Sequence, residues 1–314
     1  MKLLRKRIGL ALGGGGARGL CHIGVLRVFE QEGIPIDIIA GTSIGAMVGG
    51  AYACGISSDE LEQKVKEYVN SAEFKSSAIK TMSDAYGGKQ EDLTQKIQSF
   101  LKNQFYIIQM LFKPGILSTD DFQSMIDYFI PDVLIQNTHI PFRAVATDLV
   151  TGDQIVFSEG SLRQAVMASC AVPGVIEPVI DGKRLLSDGG IASMIPVNIT
   201  RREGADIVIA VATDRDMHSD EELKTVKDIY YRAAEITSIK LEKFELVEAD
   251  IVIRPVVKNL HWTGFSQAID LIKEGEKAAK EMLSSIRNKR SFLKTWVKSI
   301  KALTSRRNNR STQD

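Results

Sequence analysis

The sequence predicts an α/β fold: a three-layer open sheet, mostly parallel, with helices on both faces and a helical insertion. Apolar runs that suit buried strands alternate along the chain with helical stretches, an order typical of β-α-β units with a parallel sheet. The first two runs, Ile8 to Leu12 and Ile36 to Ala40, each lead into a glycine-containing turn and then a helix. In such sheets, ligands bind at the carboxyl ends of the strands.

Length and charge predict one domain with a basic tail. The 314 residues and the 44% hydrophobic content are enough for a full core. We expect this domain over residues 1–286, with an insertion over about 71–115 and a tail over 287–314. The net charge is +1, but nine Lys or Arg and no acidic residue lie between Arg287 and Arg310. The tail therefore suits an anionic partner.

The cysteines indicate a reducing compartment. Cys21, Cys54 and Cys170 are odd in number and widely spaced, and they form no disulfide framework or metal pattern. The apolar run after the basic N-terminus is too short for a signal peptide, and no stretch has the length of a transmembrane helix. We expect a cytoplasmic protein, or one held peripherally on the inner face of the membrane, without a metal or cofactor. The sequence leaves the oligomeric state open.

The remaining elements are predicted from local patterns. The predicted helices share caps or amphipathic spacing and cover 20–32, 57–70, 118–130, 161–171, 221–248 and 266–282. The predicted strands are short apolar runs bounded by turns and cover 141–147, 154–157, 206–212 and 250–254. Ala171–Gly174 and Glu177–Pro178 make the segment after the helix that ends at Ala171 irregular, as far as Leu185. Within the insertion, the apolar block from Phe105 to Phe112 is either a buried helix, which we favour, or a mobile lid over an apolar channel.

A Gly-x-Ser-x-Gly sequence, Gly41 to Gly45, joins the second strand to the following helix. A strand, a tight turn and a helix around this pattern are the parts of a nucleophile elbow, where the serine hydroxyl stands clear of both elements. The glycines let the two backbones pass closely, and the helix N-terminus favours negative charge. Ser43 is therefore the candidate nucleophile. The alternative is a glycine-softened turn in which Ser43 only caps the helix.

The glycine-rich run from Gly13 to Gly19 has three interpretations. A P-loop is excluded because the run does not end in Gly-Lys-Ser/Thr. A dinucleotide site is disfavoured because the second strand carries Asp37 at its start and no acidic residue at its end. An oxyanion hole is favoured, since backbone N–H groups around Gly15 and Gly16 would converge at a helix start. Arg18 would fix the loop or add positive potential.

Asp188 follows a short apolar run and precedes two glycines. An isolated Asp-Gly pair is usually only a turn. Asp188 therefore becomes a candidate catalytic residue only in combination with the glycine loop and the elbow.

Together the three motifs resemble those of the patatin-like phospholipase family, in the same order along the chain. Gly14–Gly19 matches its glycine loop, Gly41–Gly45 its elbow and Asp188–Gly190 its Asp-Gly-Gly motif. Ser169–Pro173, with Pro178, is similar to its proline-containing segment. The resemblance covers about Ile8 to Arg254 and implies an α/β acyl hydrolase acting on lipid esters through a Ser–Asp dyad without histidine.

By that resemblance, Ser43 is the nucleophile and Asp188 the base. The oxyanion hole is then the backbone of the glycine loop: Gly14, Gly15, Gly16, Ala17 and Arg18. The chemistry is reasonable in itself, because a desolvated carboxylate can take the proton of a serine hydroxyl directly. A Ser-His-Asp triad completed by His218 or His261 is the competing mechanism, and His22 is expected to pack or bond locally.

The tail raises a hypothesis of another class, a membrane-associated regulatory protein with weak catalysis. Its apolar residues fall on one helical face and its lysines on another, which is typical of an interfacial helix. We expect residues 287–310 to bind an anionic membrane surface, and we expect no nucleic-acid binding because no such motif occurs. The alternative is a helix docked on the body. The three intact motifs argue against an inactive enzyme.

Overall fold

A computed structural model of the protein describes residues 5–77, 80, 115, 117, 119–213, 223, 225–257 and 263–290. In these residues, eight strands form one sheet. The strands, in chain order, are β1 Ile8–Leu12, β2 Ile38–Thr42, β3 Phe142–Asp148, β4 Gln154–Phe157, β5 Val179–Asp181, β6 Arg184–Asp188, β7 Ile207–Val211 and β8 Ile251–Ile253. Their order across the sheet is β5-β6-β3-β2-β1-β7-β8, and β4 also pairs with β3.

The sheet is mostly parallel, as predicted. The five strands β3, β2, β1, β7 and β8 run parallel to one another. β4, β5 and β6 are antiparallel additions on the β3 side. The parallel strands are almost continuously buried, because a parallel sheet is covered on both faces.

Helices cover both faces of the sheet. The described helices are α1 Cys21–Gln31, α2 Ile44–Ala53, α3 Ser58–Asn70, α4 Ala72–Ser76, α5 Thr119–Phe129, α6 Leu162–Ser169, α7 Val197–Arg202, α8 Val226–Leu246 and α9 Ala268–Arg290. One apolar cluster joins alternate strand residues to α1, α2, α3, α5, α6 and α9. A second joins the opposite strand face to α7 and the end of α8, which gives the predicted three layers.

Most predicted elements are confirmed with shifted ends. β1 has the predicted bounds, and Ser57 caps α3 through a capping box with Glu60. β2 starts two residues later than predicted and continues into the elbow. β5 lies in a segment predicted to be irregular, so this part of the prediction is wrong. Gly182, at a φ of 61°, forms a tight turn that lets β5 pair with β6.

α9 ends at the N-terminal edge of the sheet. Lys6, two residues before β1, donates to the carbonyl of Lys289 at 3.2 Å. Lys289 also pairs at 3.1 Å with Asp250, the residue before β8. The first residues of the predicted tail, up to Arg290, therefore belong to α9. The apolar block Phe105–Phe112 lies outside the described residues, as do most of the predicted insertion and the tail beyond Arg290.

Candidate active site

The elbow forms where β2 passes into α2, at the carboxyl edge of the sheet. Ser43 is the N-cap of α2 and has φ 54° and ψ −125°. Among the described residues it is the only non-glycine residue with positive φ. Such a conformation is strained for a residue with a side chain and is common at active sites. This conformation makes a sharp turn between β2 and α2 at Ser43.

The glycines of the elbow are required by close backbone contacts. A Cβ at Gly41 would collide with the backbone of Gly45 and Ala46, and a Cβ at Gly45 would collide with the carbonyls of Leu12 and Gly13. The start of α2 therefore lies directly against the ends of β1 and β2. This contact supports the predicted role of both glycines.

A second serine fixes the elbow from outside. The N–H of Ser43 donates to Oγ of Ser169 at 2.9 Å, and Ser169 is fully buried at the end of α6. The next residue, Cys170, also lies beside the site. Its pKa is raised, first by burial and then by the charge of Asp188, so its thiol is neutral.

Asp188 reaches the elbow through the order of the strands. Thr42 on β2 is paired with Val145 on β3, and Ala146, the next residue on β3, is paired with Asp188 on β6. Ser43 and Asp188 therefore flank one position of β3, at the same edge of the sheet. The residue after the aspartate must be small, because a Cβ at Gly189 would collide with the carbonyl of Val145.

The Asp188 carboxylate is buried and lightly bonded. It is 7% exposed, and its Oδ1 accepts the N–H of Gly190 at 2.7 Å. Its Oδ2 is buried and, among the described residues, has no hydrogen-bond partner. Burial raises the pKa of Asp188 to about 6, while the nearby Ser43 hydroxyl and the Gly190 N–H lower it. Ser43 is thus a neighbour of the carboxylate without a well-formed hydrogen bond, which is common in active sites before substrate binds.

The glycine loop lies beside the serine. Gly15 and Gly16 have φ values of 135° and 58°, and Gly16–Leu20 forms a 3-10 turn without a side-chain N-cap. The first N–H groups of such a turn have no partner within it. A Cβ at Gly14 would lie 3.5 Å from Cβ of Ser43, so the loop and the nucleophile are in contact. Arg18 Nε donates to the Gly15 carbonyl at 3.2 Å and ties the loop to itself.

Three further side chains or backbone groups hold the loop from behind. Nε2 of His22 bonds the Gly13 carbonyl at 2.8 Å, and the Thr213 hydroxyl donates to the Gly14 carbonyl. The N–H of Gly14 donates to the Met194 carbonyl at 3.0 Å. Sequence reasoning had only expected a local bond for His22, and it missed Thr213, Met194 and Ser169. These roles depend on contacts between distant parts of the chain, which no local pattern reports.

The candidate triad histidines, His218 and His261, lie outside the described residues. His22 is fully buried, and burial lowers its pKa to about 4, so it is neutral. Because a carbonyl oxygen only accepts, the Nε2 of this neutral ring carries the proton and donates to Gly13. Within the described residues, His22 is a support of the glycine loop and is not bonded to Asp188.

The geometry also bears on the dinucleotide interpretation. Asp37 lies just before β2, at the edge opposite to the glycine loop, where Arg5 donates to both of its carboxylate oxygens at 2.6 Å. It therefore cannot bind a ligand held by that loop. In the described part of the chain, no group of three His, Cys, Asp or Glu side chains is arranged to hold a metal.

An apolar cavity begins at the residue after Ser43. Leu20, Ile44, Met47 and Val48 line it from the active-site side. Side chains of α3 and α5, with Phe265, line its far side. It lies in the layer of helices, along one face of α2.

None of the described helices combines the length and apolar character needed to cross a bilayer.

The comparisons with known proteins identify the family. A sequence profile described as Patatin-like phospholipase matches residues 10–201, which is more than half of the chain. The chain therefore belongs to the patatin-like phospholipase family.

Individual relatives match over about two thirds of this chain. It is 34% identical over 206 residues to Patatin-like phospholipase domain-containing protein 7 of Rattus norvegicus, covering 65% of this chain and 13% of the rat protein. It is 36% identical over 207 residues to an uncharacterized NTE family protein of Mycobacterium bovis, covering 66% of this chain and 49% of the relative. The chain thus spans half or less of the length of these relatives. Among solved structures, VipD from Legionella pneumophila is similar with a TM-score of 0.45 and 16% identity, over 90% of this chain and 67% of VipD.

Proposed function

We propose that the protein is a serine acyl hydrolase that cleaves ester bonds of phospholipids or lysophospholipids through an acyl-enzyme on Ser43. Asp188 is the base and acid of the reaction. One observation supports this most directly: a strained serine and a buried carboxylate of raised pKa flank the same position of β3. The glycine loop lies beside them at the same edge of the sheet.

The reaction has two halves. Asp188 takes the proton of the Ser43 hydroxyl as Oγ attacks the ester carbonyl, and the tetrahedral oxyanion forms. N–H groups at the start of the 3-10 turn, together with the positive end of α2, stabilise that oxyanion. Collapse breaks the ester C–O bond, and Asp188 returns the proton to the leaving alcohol or lysolipid.

Water then completes hydrolysis. Asp188 takes a proton from water as its oxygen attacks the acyl carbonyl, and the second tetrahedral intermediate releases the fatty acid. The proton returns to Oγ of Ser43. A base with a pKa near 6 suits this work, because it is ionised at neutral pH and more basic than an exposed carboxylate.

The apolar cavity beside Ile44 supports a lipid substrate. Its described walls are almost entirely apolar, and burying hydrocarbon in such a site is favourable by about 0.8 kcal/mol per methylene. The cavity begins at Ile44, the residue after the nucleophile, and we propose that it receives the acyl chain of the substrate. The site thus suits an ester of a long-chain acid better than a small polar ester.

The test is covalent labelling followed by product analysis. Wild-type protein should react with a fluorophosphonate probe at Ser43 and should release fatty acid from mixed phospholipids, lysophospholipids and neutral glycerides, with products identified by mass. Ser43→Ala should abolish both. Ser169→Ala is the matched control, because it removes a serine of the same site that bonds only the Ser43 backbone; it should keep the labelling at Ser43 and part of the hydrolysis. Labelling that persists in Ser43→Ala would refute the assignment.

The triad mechanism is the second candidate, and it makes a different prediction. His218→Ala and His261→Ala should cost little activity in a dyad enzyme, whereas Asp188→Asn should lower turnover by several orders of magnitude. If His261→Ala were as inactive as Ser43→Ala, with an unchanged melting profile, the triad would be correct.

We further propose that residues 287–310 attach the protein to anionic lipid. Each cation near such a surface contributes about 1 kcal/mol, and salt weakens the attraction. Co-sedimentation with anionic and neutral vesicles, for full-length protein and a protein ending at Arg290, tests this. Equal binding of both proteins, or binding indifferent to lipid charge and salt, would make the tail a structural terminus only.

A further inference from the structure

A second buried carboxylate lies behind the active site, on α8. Glu245 is 7% exposed, and its two oxygens contact one short segment. Oε1 accepts the hydroxyl of Ser193, and Oε2 accepts the N–H of Ile195 at 2.8 Å. Burial raises the pKa of Glu245, while these donors lower it.

The segment held by Glu245 supports both halves of the candidate active site. The carbonyl of Ser193 accepts the hydroxyl of Thr42, the residue before Ser43, at 3.0 Å. The carbonyl of Met194 accepts the N–H of Gly14 at 3.0 Å. Two consecutive carbonyls therefore fix the elbow and the glycine loop relative to each other.

The start of this segment is fixed to the Asp188 motif. The N–H of Ser193 donates to the carbonyl of Gly189 at 2.8 Å, and Met194 lies within 3.5 Å of the position a Cβ would take at Gly190. The segment thus contacts all three motifs. Its own conformation is held by donors that point to Glu245.

We propose that Glu245 is a positioning residue for ester hydrolysis, which holds the segment 193–195 so that the glycine loop and Ser43 stay in register. This inference rests on the proposed function. Glu245 lies outside the stretch 10–201 that matches the family, and so does Thr213, which bonds the other side of Gly14. The C-terminal third of the domain therefore supplies part of the support of the glycine loop, beside the bonds from Arg18 and His22.

A purely structural role would call for a different side chain. A buried carboxylate is costly unless donors surround it, and an apolar side chain of similar size would fill the same space without that cost. The carboxylate fixes the conformation of the segment 193–195, because its two oxygens accept hydrogen bonds from two donors at fixed positions. Loss of these two bonds should misplace the loop without unfolding the domain.

The experiment compares two glutamates of the same helix. Glu242 is 5% exposed, lies one turn before Glu245, and faces Arg254 at 4.0 Å. Full-length wild type, Glu245→Leu, Glu245→Gln and the control Glu242→Leu are assayed with a soluble short-chain ester, and each melting profile is recorded. One oxyanion donor is worth 10²–10³ in kcat, so a displaced loop should cost Glu245→Leu about tenfold in kcat.

The KM of Glu245→Leu should change by less than about twofold, since the loop acts mainly in the transition state. Glu245→Gln should recover most of the rate, because its amide oxygen can accept the Ile195 N–H and its amide nitrogen can donate to the Ser193 oxygen. Glu242→Leu should leave kcat unchanged. Equal kcat values for Glu245→Leu and Glu242→Leu would overturn the proposal, and so would a loss confined to KM.

Two arrangements keep the test decisive. If Glu245→Leu does not fold, Ser193→Ala removes one of the two bonds and should lower kcat about fivefold, the equivalent of one hydrogen bond of about 1 kcal/mol; an unchanged kcat would overturn the proposal. If the wild type hydrolyses no ester, the proposed function is wrong. The rate of fluorophosphonate labelling at Ser43, which needs the same loop, then replaces kcat in the comparison.

Discussion

Replacing Asp188 with asparagine should stabilise the protein at neutral pH while it abolishes activity. The carboxylate is buried, only Oδ1 has a hydrogen-bond partner among the described residues, and burial raises its pKa to about 6. Asparagine has nearly the same shape and keeps an acceptor for the Gly190 N–H. It removes the cost of holding a negative charge in this place.

The size of the change in the free energy of unfolding follows from the pKa of Asp188. An acid whose pKa is raised on folding costs stability as pH rises, because the unfolded chain releases its proton first. The ordinary value of Asp188 is 3.8 and the value in the fold is about 6. The wild type should therefore lose up to about 3 kcal/mol between about pH 4 and pH 6 from this residue, at 1.36 kcal/mol per pKa unit. The asparagine variant should lose none of it.

Urea unfolding of both proteins at a series of pH values measures this difference. The variant should match the wild type near about pH 4 and exceed it by up to about 3 kcal/mol above about pH 7. Asp148→Asn is a control of opposite sign, because backbone N–H donors at Val150 and Leu185 lower the pKa of Asp148, so its variant should be the less stable one at neutral pH. Parallel stability curves for wild type and Asp188→Asn would show that the pKa of Asp188 is not raised in the folded protein.

Three other predictions follow from the same geometry. The kcat/KM for a soluble ester should rise with pH through about 6 and then level off, because Asp188 must be ionised to act as base; an inflection that disappears in His261→Ala would indicate a histidine base instead. Gly45→Ala should destabilise the protein by about 1–3 kcal/mol, since its Cβ meets backbone carbonyls, whereas Gly50→Ala in the same helix faces movable side chains and should cost less in thermal unfolding. Ser169→Ala should cost about 1 kcal/mol of stability and lower kcat, because the Ser43 N–H loses its acceptor; a full kcat would show that the strained turn needs no outside support.

The sequence predicted the parts of the fold that depend on local pattern. β1 and the caps of α3 and α6 are recognisable because apolar runs and capping residues act within one turn or strand. The elbow was predictable because Gly41 and Gly45 are required by the crossing of β2 and α2. Asp188 needed the other two motifs, since its role depends on the order of β2, β3 and β6.

The supports of the candidate site could not be predicted in this way. Ser169 lies 126 residues from its partner Ser43, and Thr213 lies 199 residues from Gly14. A serine at a helix end or a threonine after a strand has nothing local to distinguish it. The hairpin of β5 and β6 was also not predicted. Pro173 and Pro178 indicated an irregular segment, whereas the turn at Gly182 brings β5 and β6 together.

The position of Lys289 and Arg290 has a consequence for how the molecule would meet a bilayer. α9 ends at the N-terminal edge of the sheet, while Ser43 lies at the carboxyl edge, about 17 Å away along a five-residue strand. A tether that starts after Arg290 would be attached at the edge of the sheet opposite to Ser43. Tethering would then raise the concentration of the protein at the lipid surface without orienting Ser43 towards that surface. The orientation of the active site towards the bilayer would depend on the residues that surround Ser43 at the carboxyl edge of the sheet. Membrane attachment and access of the lipid to Ser43 would therefore involve opposite edges of the sheet.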